Sequence, residues 1–499
     1  MPHRRPPNLV LILTDQQRYD SLGCTGGRAV ATPHLDRLAA EGLLFERAYC
    51  TNPICTPSRA SLLTGHHLPR HGVSHLDSVL IDGQTLLSHR LQRRGYFTGL
   101  VGKLHVQAGG IESRRRHPRD GFDVYELYYG GGAMMESPLN AYAPWCRARR
   151  PEVYERLVRC QKQAGVIPRE VHMNTWAAER SAAFLDEAGR SDRPFFLMVS
   201  VFDPHNPYDD HPPEAEARVD PDALRPVIPP PQDRGDWPEA IHRHAADNYF
   251  VDGRTLSARE LGRMRIGYHA EVGMIDDLVG QVRRQLEERG QLDDTLLLFC
   301  SDHGDLLGDH GLMVKGGVPY ESNIRVPAIV RLPRGGSESG GGNGPMRRGD
   351  RVRRPVQLND FAAMMLRASG VSGQAVRRAM PDAIDPLSAW RDASAARREV
   401  AVHAYRNSGL ARGHVPYDPP VHLTLACDGR FKLVLYHDPP IAGGRPAVSD
   451  RQLFDLDQDP DERRNLIDQP AVASARRRLR TVLDEFFIQE AALRFGAGD

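Results

Sequence analysis

A cysteine at the start of a predicted helix is the first candidate for chemistry in this 499-residue chain. Cys55 stands just before Pro57, which is favoured in a first helical turn, and Gly65 is placed to end the helix. Free N–H groups and the helix dipole favour an anion there, and Arg59 adds a positive charge. The pattern indicates a reactive cysteine, although a small buried side chain would also fit it.

Polar residues able to do chemistry also follow four apolar runs that are typical of buried strands. The runs cover Asn8–Thr14, 96–101, 194–201 and 295–300. The residues that follow them are Asp15 and Gln16, Lys103 and His105, His205, and Asp302 and His303. Because helical patterns separate the runs, we expect a largely parallel sheet, in which the strand carboxyl ends share one edge. The sequence therefore predicts that these residues meet there.

Four of the residues at this edge form a set of metal-binding groups. Asp15 and Asp302 supply carboxylates, Gln16 supplies an amide oxygen and His303 supplies an imidazole. Oxygen-rich sets of this kind suit Ca²⁺, Mg²⁺ or Mn²⁺ better than a thiolate-loving ion, and the imidazole favours Mn²⁺ slightly. A lone Asp-His pair after a strand is often structural, so the argument depends on the convergence of the segments.

Cationic side chains complete the predicted site. Lys103, Lys315 and Arg59 would surround the metal with positive charge, an arrangement that suits a tetrahedral oxyanion ester. His105 and His205 can move protons to or from a nucleophile and a leaving group. A lone lysine after a glycine is usually solvated. The hypothesis of an oxyanion-ester site therefore depends on the predicted meeting of the strand ends.

The elements that must position these residues define an α/β protein. Residues 1–394 read as a large catalytic domain with a mostly parallel mixed sheet flanked by helices. Residues 395–499 contain short strand-like runs, a hairpin signal at Asp428-Gly429 and a final helix. They predict a smaller C-terminal α+β subdomain with an antiparallel sheet. Residues 106–172 fit either a solvated insertion or a wall of a substrate pocket, and residues 335–344 fit a flexible loop.

Composition narrows the class of protein further. Lys+Arg is 65 and Asp+Glu is 64, so the charge balance does not suggest nucleic acid as a partner. No apolar run approaches the roughly 20 residues of a membrane helix, so no membrane partner is expected. The basic, briefly apolar start reads as the first strand rather than a signal peptide, which predicts a cytoplasmic protein. The 7 cysteines contain no CxxC pair, which argues against zinc-ribbon and thioredoxin functions.

The cysteine segment resembles the signature of the type I sulfatases, which belong to the alkaline phosphatase superfamily. The matching residues are Cys55-Thr56-Pro57-Ser58-Arg59 followed by Leu63-Thr64-Gly65. Other segments similar to that family are 8–16, 32–42, 102–105, 301–315 and 453–466. The resemblance thus extends along most of the chain and implies a sulfate monoester hydrolase acting on a small-molecule or saccharide sulfate ester.

The resemblance also implies a modified nucleophile. In the family a maturation enzyme that generates formylglycine converts the cysteine at the position of Cys55 to Cα-formylglycine (3-oxoalanine), which is hydrated to a geminal diol. One oxygen binds the metal and attacks sulfur. Asp15, Gln16, Asp302, His303 and the converted Cys55 would together hold one divalent cation. Ca²⁺ is the favoured ion, with Mn²⁺ and Mg²⁺ as alternatives.

The remaining site residues take their roles from the same resemblance. His205 and Lys315 would assist departure of the leaving group, and Lys103 would hold the sulfate. Arg59 would orient the formylglycine. His105 would remove a proton from the second hydroxyl, so that sulfate leaves by elimination and the aldehyde is restored.

One departure from the family pattern keeps an alternative open. Many sulfatases carry two consecutive Asp residues where this chain has Asp15-Gln16. Similar sets occur in choline-sulfatase-like members and in phosphonate monoester and phosphodiester hydrolases, so a hydrolase of those esters is the alternative. A cysteine nucleophile without formylglycine is a further one. A non-catalytic binding protein would be expected to lack at least one of the key residues, yet all four are present, namely Cys55, Arg59, Lys103 and Asp302. A homo-oligomer is compatible with the sequence.

Overall fold

The computed structural model describes residues 5–160, 165–231, 237–334, 347–388, 395–441 and 445–495. The loop predicted at 335–344 lies outside these residues. Within them, no helix is both long enough and apolar enough to cross a membrane.

The strands fall into three sheets. In chain order they are β1 (Asn8–Thr14), β2 (Leu43–Phe45), β3 (Ala48–Tyr49), β4 (Phe97–Gly102), β5 (Val124–Leu127), β6 (Phe195–Ser200), β7 (Thr295–Ser301), β8 (Arg325–Val326), β9 (Ala328–Arg331), β10 (Asp350–Val352), β11 (Val356–Gln357), β12 (Ala401–Arg406), β13 (His422–Cys427), β14 (Phe431–His437) and β15 (Val448–Asp455).

The α-helices range from a single turn to a long helix behind the main sheet. They are α1 (Pro33–Glu41), α2 (Cys55–Thr64), α3 (Leu68–His71), α4 (Leu87–Gln92), α5 (Gly109–Glu112), α6 (Tyr142–Arg149), α7 (Pro151–Arg159), α8 (Met173–Ala188), α9 (Pro213–Glu216), α10 (Glu239–Asp247), α11 (Ala258–Glu288), α12 (Glu321–Ile324), α13 (Leu358–Ala368), α14 (Gly373–Ala379) and α15 (Ala473–Phe495).

The main sheet has the order β10-β2-β9-β7-β1-β6-β4-β5. Strands β7, β1, β6, β4 and β5 are parallel, whereas β9 is antiparallel to both of its neighbours. Strand β1 lies at the centre, with Leu11 paired to Met198 and Leu298. Its apolar side chains enter the core on both faces, which explains its uninterrupted apolar sequence. The predicted mostly parallel mixed sheet is confirmed.

The C-terminal part of the chain forms the predicted antiparallel sheet, in the order β12-β13-β14-β15. Strand β15, which the sequence pattern did not predict, is exposed over its first half and buried over its second. Side chains of α15 pack on one face of this sheet around Leu479 and Leu483. The boundary after residue 394 stays a prediction, because residues 389–394 lie outside the described part.

Candidate active site

The carboxyl ends of β1, β4, β6 and β7 meet at one edge of the main sheet. Ladder hydrogen bonds continue past the strand ends: the Asp302 N–H donates to the Thr14 carbonyl at 3.1 Å, and the Lys103 N–H donates to the Ser200 carbonyl at 2.9 Å. Parallel pairing therefore carries the predicted residues of three strands into one volume. Gln16 and His105 then turn away with positive φ angles of 67° and 55°, which end the extended backbone.

Helix α2 brings Cys55 to the same place. Every residue of this helix is buried, and Gly65 ends it in the left-handed conformation at φ 75°. Cys55 Sγ lies 3.2 Å from His303 Nε2 and 2.9 Å from Lys315 Nζ. Its distance to Asp15 Oδ1 is 3.5 Å. The predicted convergence of the cysteine with strand-end residues is therefore present in the structure.

Arg59, one helical turn after Cys55, ties the strand ends together. Its Nε donates to Asp302 Oδ2 at 2.6 Å, and its Nη2 donates to Asp15 Oδ2 at 3.2 Å. Its Nη1 donates to Ser200 Oγ at 2.8 Å and to the Lys103 carbonyl at 3.0 Å. The guanidinium is fully buried, so these bonds offset the cost of removing its charge from water.

Asp15, Cys55, Asp302 and His303 form a compact group of metal-binding atoms. One ligand atom from each lies within 4.8 Å of the others. The His303 Nδ1–H donates to the Gly304 carbonyl at 2.9 Å, which leaves the lone pair of Nε2 facing the group. These residues fit a divalent cation, because ligands around one ion are separated by comparable distances.

The amide of Gln16 fits the same requirement. Its Nε2 donates to Asp305 Oδ2 at 2.7 Å and to Asn206 Oδ1 at 3.3 Å, which fixes the orientation of the amide. Its Oε1 is buried and has no hydrogen-bond partner in the described structure. A buried amide oxygen held in this way is suited to ligating a cation.

Positive charge controls the electrostatics of the group. Burial alone would raise the pKa of Asp15, but the charges of Lys103, Lys315 and Arg59 outweigh it and hold that pKa well below its ordinary value. Lys103 Nζ contacts Asp15 Oδ2 at 2.5 Å and lies 3.9 Å from the ring centre of Phe202. The site therefore combines carboxylates with lysines, as binding of a cation beside an anionic ester requires.

The thiol responds to the same cations. Burial and the Asp15 carboxylate raise the pKa of Cys55, whereas Lys103, Lys315 and His303 lower it and prevail. The helix start and the cations thus favour negative charge at this position, as the sequence pattern indicated.

Two histidines border the group with nitrogens suited to proton transfer. His205 Nδ1–H donates to the Asn206 carbonyl at 2.8 Å, and its Nε2 accepts from Lys315 Nζ at 2.8 Å. His105 Nε2 lies 2.9 Å from Thr56 Oγ1. Burial lowers the pKa of both rings well below the ordinary value, helped by Lys315 at His205 and by Lys103 at His105. Both imidazoles are therefore neutral and able to accept a proton.

Glu112 is a site residue that the sequence did not reveal. Its fully buried carboxylate accepts the N–H of His105 at 2.6 Å and that of Val106 at 3.2 Å. It thereby holds His105 in its left-handed conformation. Because the partners are backbone groups, no side-chain pattern marks this role.

A cavity of about 290 Å³ opens above Cys55. Tyr128, Tyr129 and Met134 line one side of it, and they belong to the segment 106–172. The structure therefore favours the pocket-wall interpretation of that segment. Strand β5 within it extends the main sheet beside β4.

Solved structures with the same fold include a phosphonate monoester hydrolase and a protein bound to a sulfated sugar. The chain aligns with the phosphonate monoester hydrolase of Agrobacterium radiobacter at a TM-score of 0.75 and 22% identity, covering 97% of this chain and 96% of the other. It also aligns with a protein solved in complex with its substrate D-glucosamine-2-N,6-O-disulfate, at a TM-score of 0.71 and 19% identity, over 99% and 100% of the two chains. Both likenesses show that the chain shares the fold of these proteins.

Sequence comparisons identify the family. The family model described as Sulfatase matches residues 7–371. The arylsulfatase of Clostridium perfringens is 30% identical over 412 residues, which is 77% of this chain and 80% of the relative. A multifunctional alkaline phosphatase superfamily protein of Trinickia caryophylli is 32% identical over 65% of this chain and 68% of its own. The chain belongs to the sulfatase family of the alkaline phosphatase superfamily.

Proposed function

We propose that the protein hydrolyses a sulfate monoester with a formylglycine made from Cys55 as nucleophile and with one divalent cation as cofactor. The observation that carries this proposal is the surroundings of Cys55 Sγ, where His303 lies at 3.2 Å, Asp15 at 3.5 Å and Lys315 at 2.9 Å. A metal-binding set and a cationic set meet at this one side chain, at the floor of a cavity. The substrate class is a small-molecule or saccharide sulfate ester.

The residues that would hold the cation are Asp15, Gln16, Asp302, His303 and the converted Cys55. Ca²⁺ is the favoured ion because most of the donors are hard oxygens, with Mn²⁺ and Mg²⁺ as alternatives. When bound, the cation and the formylglycine together supply an oxygen nucleophile of lowered pKa and charge that stabilises the sulfuryl group. Arg59 holds Asp15 and Asp302 in register for this role through its bonds to both carboxylates.

The chain's own residues bind the anion and move protons. Lys103 and Lys315 neutralise the sulfate oxygens. Lys315 donates to His205 Nε2, so this pair is placed to deliver a proton to the departing oxygen. His105, neutral because of its burial and the nearby Lys103, is placed to take a proton at Nε2. The neighbouring hydroxyl of Thr56 orients that nitrogen.

A hydrolase of phosphonate monoesters or phosphodiesters is the second candidate. It is supported by Gln16, which replaces a carboxylate by a neutral amide, and by the 32% identical relative named as multifunctional. With an amide in place of a carboxylate, the metal-binding residues carry less negative charge. The site would then be suited to an ester whose transferred group differs in charge from a sulfate monoester. The same nucleophile and the same cations would serve both reactions.

The test begins with protein coexpressed with a formylglycine-generating enzyme. Mass spectrometry of the peptide containing Cys55 should show conversion to the aldehyde, and turnover of an aryl sulfate should exceed turnover of the matched aryl phosphodiester. Cys55→Ala should be inactive, whereas Cys50→Ala, at a buried cysteine five positions earlier, should keep its activity. An unmodified thiol in active protein would refute the nucleophile, and preference for the phosphodiester would favour the second candidate.

A further inference from the structure

A second group of ligating side chains lies beside the cavity, where the loop after β6 meets α11 and the residues before α8. His172, Asp203 and Asp210 each offer a ligand atom within 4.8 Å of the others, Glu271 meets Asp210, and His211 lies beside Glu271. Asp203 is 2% exposed and Glu271 is fully buried. A carboxylate oxygen of Asp203 lies within 4.8 Å of one of Asp210, so two acidic side chains already face each other.

These carboxylates lack compensating charge. Among the residues that the structure describes, no lysine or arginine forms an ion pair with Asp203, Asp210 or Glu271, and the hydrogen bond of the fully buried Glu271 carboxyl is to another acidic side chain, that of Asp210. Burial, together with the neighbouring carboxylates, raises the pKa of all three. Buried acidic groups without a cation are costly, so this arrangement calls for a positively charged ligand.

His211 points a free lone pair into the group. Its Nε2–H donates to Glu216 Oε2 at 3.1 Å, which leaves Nδ1 as the nitrogen available to a ligand. Nδ1 is buried, has no hydrogen-bond partner in the described structure and lies 3.9 Å from Glu271 Oε1. A carboxylate that receives the far N–H of a histidine is the usual support of a metal-binding imidazole.

His172 orients Asp203 and is not one of the proposed ligands. Its Nδ1 accepts the backbone N–H of Asn174 at 3.3 Å, so the proton of the neutral ring is on Nε2. That N–H faces Asp203 Oδ2 at 3.9 Å. The Asn174 side-chain amide donates to the same oxygen at 2.7 Å. His172 and Asn174 therefore orient Asp203 and leave its other oxygen for a ligand.

We propose that Asp203, Asp210, Glu271 and His211 Nδ1 form a second divalent-cation site, distinct from the one at Cys55. Three carboxylates with one imidazole suit Mn²⁺. Asp203 and Asp210 also line the cavity, so the ion would present positive charge to the leaving group of a bound ester. The Asp203 carbonyl accepts the N–H of Asp15 at 3.2 Å, which joins the two sites through one residue. The proposal does not depend on the reaction proposed above.

The test counts bound Mn²⁺ in the full-length protein and measures no hydrolysis. Asp302→Ala removes the first site, so Mn²⁺ retained after chelation, reloading and gel filtration reports the second. We expect about one Mn²⁺ per chain in Asp302→Ala, with an electron paramagnetic resonance signal of immobilised ion, and loss of that ion when Glu271→Gln is added. Glu288→Gln, an exposed residue on the same helix, is the matched control and should retain the ion.

Two results would overturn the site. One is the absence of retained Mn²⁺ in folded Asp302→Ala protein, and the other is the same Mn²⁺ content with and without Glu271→Gln. If Glu271→Gln fails to fold in that background, Asp210→Asn at the half-buried carboxylate replaces it, with the same expected loss.

Discussion

Replacing Glu112 by glutamine tests how the chain positions His105. The carboxylate accepts two backbone N–H groups, from His105 and Val106. Glutamine has the same shape but only one acceptor oxygen, so one buried N–H loses its partner. An unsatisfied buried donor costs about 1–3 kcal/mol, which is the expected loss of unfolding free energy while Glu112 is protonated.

The cost of Glu112→Gln should depend on pH. Burial outweighs the two N–H bonds and raises the pKa of Glu112 from 4.5 to about 7. A raised pKa means that the folded state holds the proton more tightly, so this contribution to stability is complete below about pH 4.5 and is lost as pH rises through about 7. Since one pKa unit corresponds to about 1.4 kcal/mol, the wild type should lose about 3 kcal/mol over this range. Glutamine does not titrate, so the variant should not show this loss of stability.

Urea denaturation at about pH 5 and about pH 8 measures both effects. Wild type should be the more stable protein at the lower pH, and at the higher pH its advantage should shrink by about 3 kcal/mol or reverse. Glu136→Gln, at an exposed position in the same segment, should show no such dependence. An equal free-energy difference between wild type and Glu112→Gln at both pH values would refute the assignment of a buried, titrating carboxylate.

Two further substitutions test buried contacts of the fold. Gly102→Ala should lower the unfolding free energy by at least about 2 kcal/mol, because a Cβ at φ 107° would lie 1.9 Å from the Ser200 carbonyl oxygen; a melting temperature equal to that of Gly110→Ala, where the added Cβ meets nothing within 4 Å, would contradict this. Lys432→Met should lower the unfolding free energy by about 3–5 kcal/mol in urea denaturation. The substitution leaves the carboxylates of Glu462 and Glu321, which lie 2.5 Å and 3.1 Å from Lys432 Nζ, without their cation. The half-exposed Arg430→Met should cost far less, and an equal loss would disprove the reasoning.

The sequence predicted the parts of the fold that depend on long apolar runs. Strand β1 is buried on both faces, so its apolar run of residues 9–13 is unambiguous, and the parallel-sheet rule then brings Asp15 and Asp302 together. Strands such as β3 and β11 have only two residues, too few to produce a pattern. The half-exposed β15 was missed for a related reason, because its burial changes midway.

The candidate site divides along similar lines. Cys55 and Arg59 belong to a local motif, so their spacing was visible in the sequence. Glu112 binds the nearby backbone N–H groups of His105 and Val106, a role that no side-chain pattern marks. Glu271 meets Asp210 from a separate helix, far away in the sequence. The contact of Glu271 with Asp210 forms only once these distant elements pack together.

The complete burial of α2 sets an order of events for the chain. All its residues, Cys55–Thr64, are enclosed by the fold, and Cys55 itself is 2% exposed. Another protein cannot bind this segment once the helix is packed into the folded protein. If Cys55 is converted as proposed above, the conversion has to take place on the nascent or unfolded chain, before this helix docks. On that proposal, a variant that folds faster would leave a larger share of its molecules with an unconverted thiol.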